Sequence, residues 1–258
     1  MKAVILAGGY GTRLSEETTV RPKPMVEVGG RPIIWHIMRT YAKAGFTEFV
    51  ILAGYKAEFI RNYFANYHLQ SSDFTISTKT GEVLWSRPHG EIEDWKVTVL
   101  DTGLDTMTGG RIKRARDVIG EETFLLTYGD GVTDLNINDL LAHHRKSGNW
   151  ATLTAVTQPG RFGALGLENN NTRVRAFREK GAADGGLING GYFVCEPEIY
   201  DLVDDDTTVW EEEPIERMVE AGKLGSYHHK GYWQNMDTLR DKHKLEDLWA
   251  SGNAPWKA

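Results

Sequence analysis

KAVILAGGYGTRL, residues 2–14, is the stretch from which the fold is read. Residues 2–7 form an apolar run with β-branched side chains that stops at glycine, the pattern of a strand buried on both faces of a parallel sheet. Gly8, Gly9 and Gly11 follow at once, where missing side chains let backbone N–H groups approach a phosphate closely. Thr12 and Arg13 add donors. Dinucleotide-binding folds also place glycines after a first strand, but Gly8-Gly9-Tyr10-Gly11 lacks their G-x-G-x-x-G spacing, and no Walker Lys-Ser or Lys-Thr ending follows. On the glycines alone, a tight turn and a phosphate loop stand level.

Outward from this loop, the chain alternates strand and helix patterns, as βαβ units require. From Pro32, the residues Ile33, Ile34, Ile37, Tyr41 and Ala44 keep helical spacing, and Gly45 is placed to cap the end. Residues 47–53 (TEFVILA) read as a strand, and Ile60, Tyr63, Phe64 and Tyr67 mark one face of the next helix. Between Ser71 and Asp101 the pieces FTIST and EVLWSR around Thr80-Gly81 predict a hairpin excursion before KVTVLD returns to the sheet. TGGRIKRARDVIG is a helical pattern ending at Gly120, and TFLLTY is an apolar strand. A helix at 139–146, strands WATLTAV and LINGGYFV around a β excursion (FGALGLENNNTRVRAF), and a mainly helical end complete the pattern. WEEEPIERMVEAG and TLRDKHKLEDLW supply the late helices, flanking a short strand LGSYHH. In WEEEP, negative charge would oppose the positive end of a helix dipole. No repeat or interdomain linker interrupts the order.

Composition narrows the function classes. A chain of 258 residues with 40% hydrophobic content can bury one substantial core, so a single elaborated domain over 1–258 is expected. Net charge −6 and a pI near 5.8 argue against a nucleic acid polymer as partner, which needs a basic footprint. The single cysteine, Cys195, allows no intramolecular disulfide and no cysteine-held zinc, which fits a reducing cytoplasm. Residues 2–8 are too brief an apolar run for a signal peptide or a membrane span. The pairs His143-His144 and His228-His229 are neighbours that do not share a face of a helix or strand, so no metal role is given to them. Cys195, in an apolar strand, reads as packed. Trp233 reads equally well as pocket lining or as core.

Four further segments carry the chemistry. RPKPM, residues 21–25, sets Lys23 between two prolines that restrict the backbone, which fixes a cation near the first loop. TYGDGV places Asp130 directly after a strand, at the carboxyl edge where open α/β sheets hold ligands. GYWQNMDT holds Asp237, a candidate second acid for a magnesium ion, although taken singly the cap of the helix that follows is its commoner role. DTGLDTMTGGR, residues 101–111, ends in Thr108, Gly109, Gly110 and Arg111 at a helix start, where an anion or a base is accommodated and a capping threonine is also at home.

LAGGxGTRL followed closely by RPKPM resembles the signature of the sugar nucleotidylyltransferases, with Tyr10 at the variable position, and the resemblance runs from Met1 to the C-terminal tail. It implies a Rossmann-like three-layer α/β nucleotidyltransferase fold with a mainly parallel central sheet and β-hairpin excursions. Residues 1–130 would be mainly the nucleotide-binding part, 131–237 mainly the sugar-phosphate part and 238–258 a helical tail. Around a nucleoside triphosphate it places Leu6, Ala7, Gly8, Gly9, Gly11, Thr12, Arg13, Lys23 and Gly129, with Arg13 and Lys23 catalytic. Asp130 and Asp237 would be the ligands of Mg2+. DTGxxxMTGGR and TYGDGV look like the cytidylyltransferase branch, which assigns Thr108, Gly109 and Arg111 to CTP.

For the sugar phosphate, the resemblance points to Gly163, Glu179, Lys180, Asn189 and Gly190, in GRFGALGLE, FREK and LINGGYF. Glu179 and Lys180 also read as a solvated strand end. Two departures stand out. Gly181 replaces the proline of a common Glu-Lys-Pro, and Asn235 replaces the proline of a common Gln-Pro-Met, which bears on loop stiffness. The implied reaction is attack of a glucose 1-phosphate oxygen on the α-phosphorus of CTP, expelling pyrophosphate and leaving CDP-glucose. Arg13, Lys23 and magnesium would suppress the repulsion between two polyanions. The resemblance also suggests a homo-oligomer, specifically a hexamer, feeding CDP-linked dideoxysugar and lipopolysaccharide O-antigen biosynthesis. Thymidylyl or uridylyl transfer, a non-catalytic nucleotide-sugar sensor and a nicotinamide-dependent oxidoreductase are the rivals, the last lacking its fingerprint spacing.

Overall fold

β1 (Ala3–Ala7) sends its side chains alternately into two apolar layers: Ala3, Ile5 and Ala7 to one side, Val4 and Leu6 to the other. In the computed structural model, which describes residues 1–88, 92–157, 164–167, 174–178 and 187–257, this strand lies in the interior of a seven-stranded sheet. The other strands are β2 (Glu48–Ala53), β3 (Lys96–Asp101), β4 (Phe124–Tyr128), β5 (Ala151–Thr157), β6 (Leu187–Cys195) and β7 (Leu224–His229). Their order is β7-β5-β6-β4-β1-β2-β3. β6 runs antiparallel to both its neighbours, and the other neighbouring pairs are parallel. The expected mainly parallel sheet is therefore present, with one reversed strand.

Helices cover both faces, which gives three layers. Against the first face pack α1 (Ile33–Lys43), α2 (Ala57–Ala65), α4 (Ile137–Arg145) and α6 (Leu239–Ala250), through Ile33, Ile37, Tyr41, Ile60, Leu140 and Leu245. Against the second pack α3 (Thr108–Arg114) and α5 (Glu213–Glu220), through Ile112 and Met218, together with the fully buried Trp210. Burying a large apolar side chain of this kind stabilises by about 1.5–3 kcal/mol, so both layers are held mainly by such contacts. The expected helix through Tyr67 instead breaks at Asn66 and restarts as Tyr67–Ser71. The pattern read as one helix up to Gly120 likewise breaks at Ala115 before Arg116–Ile119.

The hairpin excursions are present: Ser72–Ile76 pairs antiparallel with Val83–Pro88, and Ala164–Leu167 with Val174–Arg178. A third pairing was not legible in the sequence. Gly131–Thr133 pairs antiparallel with Trp233–Asn235, drawing two segments a hundred residues apart into register. Among the described residues no helix is long and apolar enough to cross a membrane. After α6 the chain folds back, and Trp256 packs against His36 of α1. Cys195 is buried, as its apolar strand implies.

Candidate functional site

Strand order turns at β1: β2 and β3 lie to one side, β4 to the other. Open α/β sheets leave a crevice outside the carboxyl ends of their strands at such a point. Here the crevice is a cleft of roughly 840 Å³, and its lining includes the loop after β1 and the residues after β4. Gly11 adopts φ 65°, a left-handed conformation that favours glycine, and its carbonyl accepts from Leu14 N–H and Thr18 Oγ1. The loop is thereby turned back into the short Thr12–Leu14 helical turn.

Arg111, on α3, crosses beneath that loop. Its guanidinium donates to the carbonyls of Ala53, Gly103, Gly8 and Leu104 and to Thr102 Oγ1, at 2.7–3.2 Å. It is 4% exposed, and among the described residues no carboxylate lies within ion-pair distance. Burial lowers its pKa, with the charge of Asp101 opposing that shift, yet a guanidinium stays protonated, so a positive charge is fixed under the glycine loop. In β1 and β2, in register at Ala7 and Ala53, the following residues are Gly8 and Gly54, and a side chain at either would strike this guanidinium.

Lys23 stands at the centre of the second cluster. Pro22 is extended (φ −67°, ψ 150°), and a short turn, Lys23–Met25, follows it, with Met25 N–H donating to the Pro22 carbonyl. The side chain reaches across the cleft, and Nζ lies 2.6 Å from both Asp130 Oδ2 and Asp237 Oδ1. These acids are 107 residues apart and meet because the Gly131–Thr133 pairing with Trp233–Asn235 begins right after Asp130 and ends just before Asp237. Met236 N–H adds a bond to the Asp130 carbonyl. Arg13 Nη1 and Asn235 Nδ2 both donate to Asp237 Oδ2, at 3.3 and 2.6 Å. Burial opposes the Lys23 ammonium, but Asp130 and Asp237 outweigh it and hold its pKa above the ordinary value. For Asp237, burial pushes the carboxyl up, while Lys23 and then Arg13 outweigh it and hold the pKa below the usual range.

The capping role considered for Asp237 belongs to its neighbour. Thr238 Oγ1 accepts from Asp241 N–H, and Asp241 answers by accepting from Thr238 N–H, a reciprocal cap at the start of α6. Asp237 N–H also donates to Asp241, so the carboxyl of Asp237 is left to face Lys23. A positive charge already fits between Asp130 and Asp237, and carboxylate oxygens are the hard donors that magnesium prefers. Among the described residues no third His, Cys, Asp or Glu joins them in a metal-holding cluster. Magnesium commonly uses one or two carboxylates and takes the rest of its shell from phosphates and water, so the pair fits that ion.

The cleft gathers Leu6, Ala7, Gly8, Gly9, Gly11, Arg13, Lys23, Thr108, Arg111, Asp130, Asn189, Gly190 and Asp237. Thr12, Gly109 and Gly129 do not line it. Thr12 is exposed, Gly109 N–H donates to the Thr208 carbonyl, and Gly129 N–H donates to the Leu6 carbonyl. Thr108 lines the cleft but turns its hydroxyl to Glu211 at 2.6 Å rather than capping α3. Gly163, Glu179 and Lys180 lie outside the described residues. Trp233 does line the cleft, its indole donating to the Gly190 carbonyl at 2.7 Å. Sequence reading missed Tyr10, whose hydroxyl donates to Asp105 across the mouth, and Asn235, whose contact with Asp237 no local pattern announces. One member of each histidine pair is held by neighbouring side chains. His144 joins Thr152 and Glu196, and His229 joins Asp134 and Thr133, ordinary hydrogen-bonded partners.

Two relatives, from Salmonella typhi and Salmonella typhimurium, each named glucose-1-phosphate cytidylyltransferase, are 52% identical over 258 residues, covering 100% of this chain and 99% of theirs. A crystal structure of HddC from Yersinia pseudotuberculosis shares the fold with a TM-score of 0.70 at 23% identity, over 96% of this chain and 99% of that one. Residues 2–247 match the family model described as nucleotidyl transferase, and the chain belongs to that family.

Proposed function

We propose that the protein transfers the cytidylyl group of CTP to α-D-glucose 1-phosphate with magnesium, releasing pyrophosphate and leaving CDP-glucose. The observation that carries this reading is the position of Lys23 Nζ, 2.6 Å from Asp130 and 2.6 Å from Asp237, beside the glycine loop of the cleft. Choice of base and sugar rests on the 52% identity to the Salmonella relatives.

A phosphate oxygen of glucose 1-phosphate, already an anion, attacks the α-phosphorus in line, and the bond from that phosphorus to the pyrophosphate bridging oxygen breaks. No proton need be removed from the nucleophile. The protein's task is to hold two anionic reactants together and offset the charge that develops on the leaving group. Arg13, paired with Asp237 but 78% exposed at its side chain, can swing to the phosphates, and Lys23 meets them from the floor. Arg111 supplies fixed positive charge beneath the loop. Asp130 and Asp237 would hold magnesium, which when bound supplies Lewis acidity and a template for the phosphates. Thr108 and Arg111 fall to the nucleotide, Asn189 and Gly190 to the sugar phosphate, within residues 1–130 and 131–237 respectively. The same reading makes the protein a cytoplasmic homo-oligomer, with light scattering as the measure of a hexamer.

Incubation with glucose 1-phosphate, magnesium and CTP, dTTP or UTP, read as pyrophosphate release, tests the proposal. Release with CTP well above the other two is the expected result. Binding of CTP with no release would mark a sensor, and preference for dTTP or UTP would move the base assignment.

A further inference from the structure

Both carboxylates proposed for the metal are already engaged by the chain's own donors. Asp130 Oδ2 and Asp237 Oδ1 take the Lys23 ammonium at 2.6 Å each, and Asp237 Oδ2 takes Arg13 and Asn235. The Lys23 side chain is only 13% exposed, and its backbone is held by a proline on each side. A cation set between the same oxygens would meet the ammonium at a few ångströms in a partly buried site, where like charges repel far more than in water.

We infer that Lys23 is a placeholder that ties divalent-metal uptake to nucleotide arrival. Without nucleotide, Lys23 pairs both acids and keeps divalent ions out. A triphosphate offers the ammonium new anionic partners, so Lys23 leaves the acids without losing its charge pairing, and the acid pair opens at the moment its ligand arrives. Binding of the two ligands is then coupled through one side chain, and the coupling acts equally on both affinities. This rests on the metal reading of Asp130 and Asp237 given above.

The test uses Mn2+ as the probe, added to the full-length protein without nucleotide, with free Mn2+ read by electron paramagnetic resonance. Lys23→Met keeps the length of the side chain and removes its charge, and is expected to bind one Mn2+ about tenfold or more tighter than the unaltered protein, within the usual range of such couplings. Lys23→Gln should behave alike and serves if the methionine variant folds poorly. In either variant Mn2+ should also raise the melting temperature by more than it does for the unaltered protein, because two facing carboxylates lose their shared cation. Adding Asp130→Asn and Asp237→Asn should abolish the gain. Equal Mn2+ affinity in the unaltered protein and both Lys23 variants would overturn the placeholder role. Failure of the metal reading looks different: tight binding that survives loss of both aspartates.

Discussion

Gly8 and Arg111 are fitted to each other: a Cβ on Gly8 would lie 2.2 Å from the guanidinium carbon, far inside contact distance. The guanidinium binds the Gly8 carbonyl at 3.2 Å and the Gly103 carbonyl at 2.7 Å, joining the glycine loop to the loop that precedes α3. Gly8→Ala should therefore displace Arg111. Overpacking of this kind costs about 1–3 kcal/mol, and a shifted loop should lower kcat/KM for CTP by roughly tenfold or more. Combining Gly8→Ala with Arg111→Ala removes the clash, so a double-mutant cycle in urea unfolding should show strong non-additivity. Additive effects would mean that the two residues do not restrain one another.

The Thr238–Asp241 cap should be measurable in both stability and metal requirement. Thr238→Ala removes a side-chain cap at α6, a change that costs about 1 kcal/mol. Asp241 also holds Asp237 N–H at 3.2 Å and Gln234 Nε2 at 3.3 Å, so Asp241→Ala should cost more than Thr238→Ala. It should also raise the magnesium concentration needed for half-maximal rate, because the backbone under Asp237 is loosened. Urea midpoints and a magnesium titration check the two effects, and an unchanged magnesium requirement would detach the cap from the site.

Much of this architecture was legible where periodicity is long enough to read. The runs at Ala3–Ala7, Glu48–Ala53 and Phe124–Tyr128 are buried strands because successive residues serve opposite apolar layers. α1 follows its apolar spacing to within a residue of where Pro32 and Gly45 place its ends. What escaped was short or long-range. The strands Gly131–Thr133 and Trp233–Asn235 hold three residues each, too few to show a period of two, yet their pairing brings Asp130 to Asp237. The break at Ala115 shows no Gly or Pro, and the reversal of β6 is a tertiary choice. Motifs made Arg111 a candidate site residue, but did not announce that it would lie buried beneath the loop, holding backbone carbonyls.

Asn235 gives Asp237 a donor at 2.6 Å that a proline at this position could not supply. It orients a proposed metal ligand from outside, and loss of such support commonly costs about 10–100-fold in metal affinity or activity. Asn235→Ala should raise the magnesium requirement about tenfold, with only a small change in unfolding midpoint because the side chain is partly exposed. A variant with unaltered magnesium dependence and rate would confine Asn235 to the turn.

His36 should make the protein lose stability as the pH falls from 6.5 to 4. It is 1% exposed, with Trp35 and Trp249 rings at 5.0 and 4.7 Å, Nε2 donating to the Val28 carbonyl at 2.8 Å and Nδ1 accepting from the Trp256 indole at 3.3 Å. A second proton would have to sit on Nδ1, facing another N–H donor. Burial lowers the folded pKa to about 4, whereas the unfolded chain titrates near 6.5. Between those values the unfolded state binds a proton that the folded state refuses, so acid favours unfolding, while above pH 6.5 the group contributes no pH dependence. The difference is about 3 kcal/mol once pH 4 is reached. Carboxylates titrate over part of the same window, so the informative quantity is the gap between the unaltered protein and His36→Gln. In urea unfolding that gap should shrink by about 3 kcal/mol from pH 7 to pH 4, because only the unaltered protein carries the penalty. Parallel curves would mean that the imidazole gains its proton in the folded state as readily as in the unfolded chain, and that the tryptophan cage at the C-terminal tail does not exclude the charge.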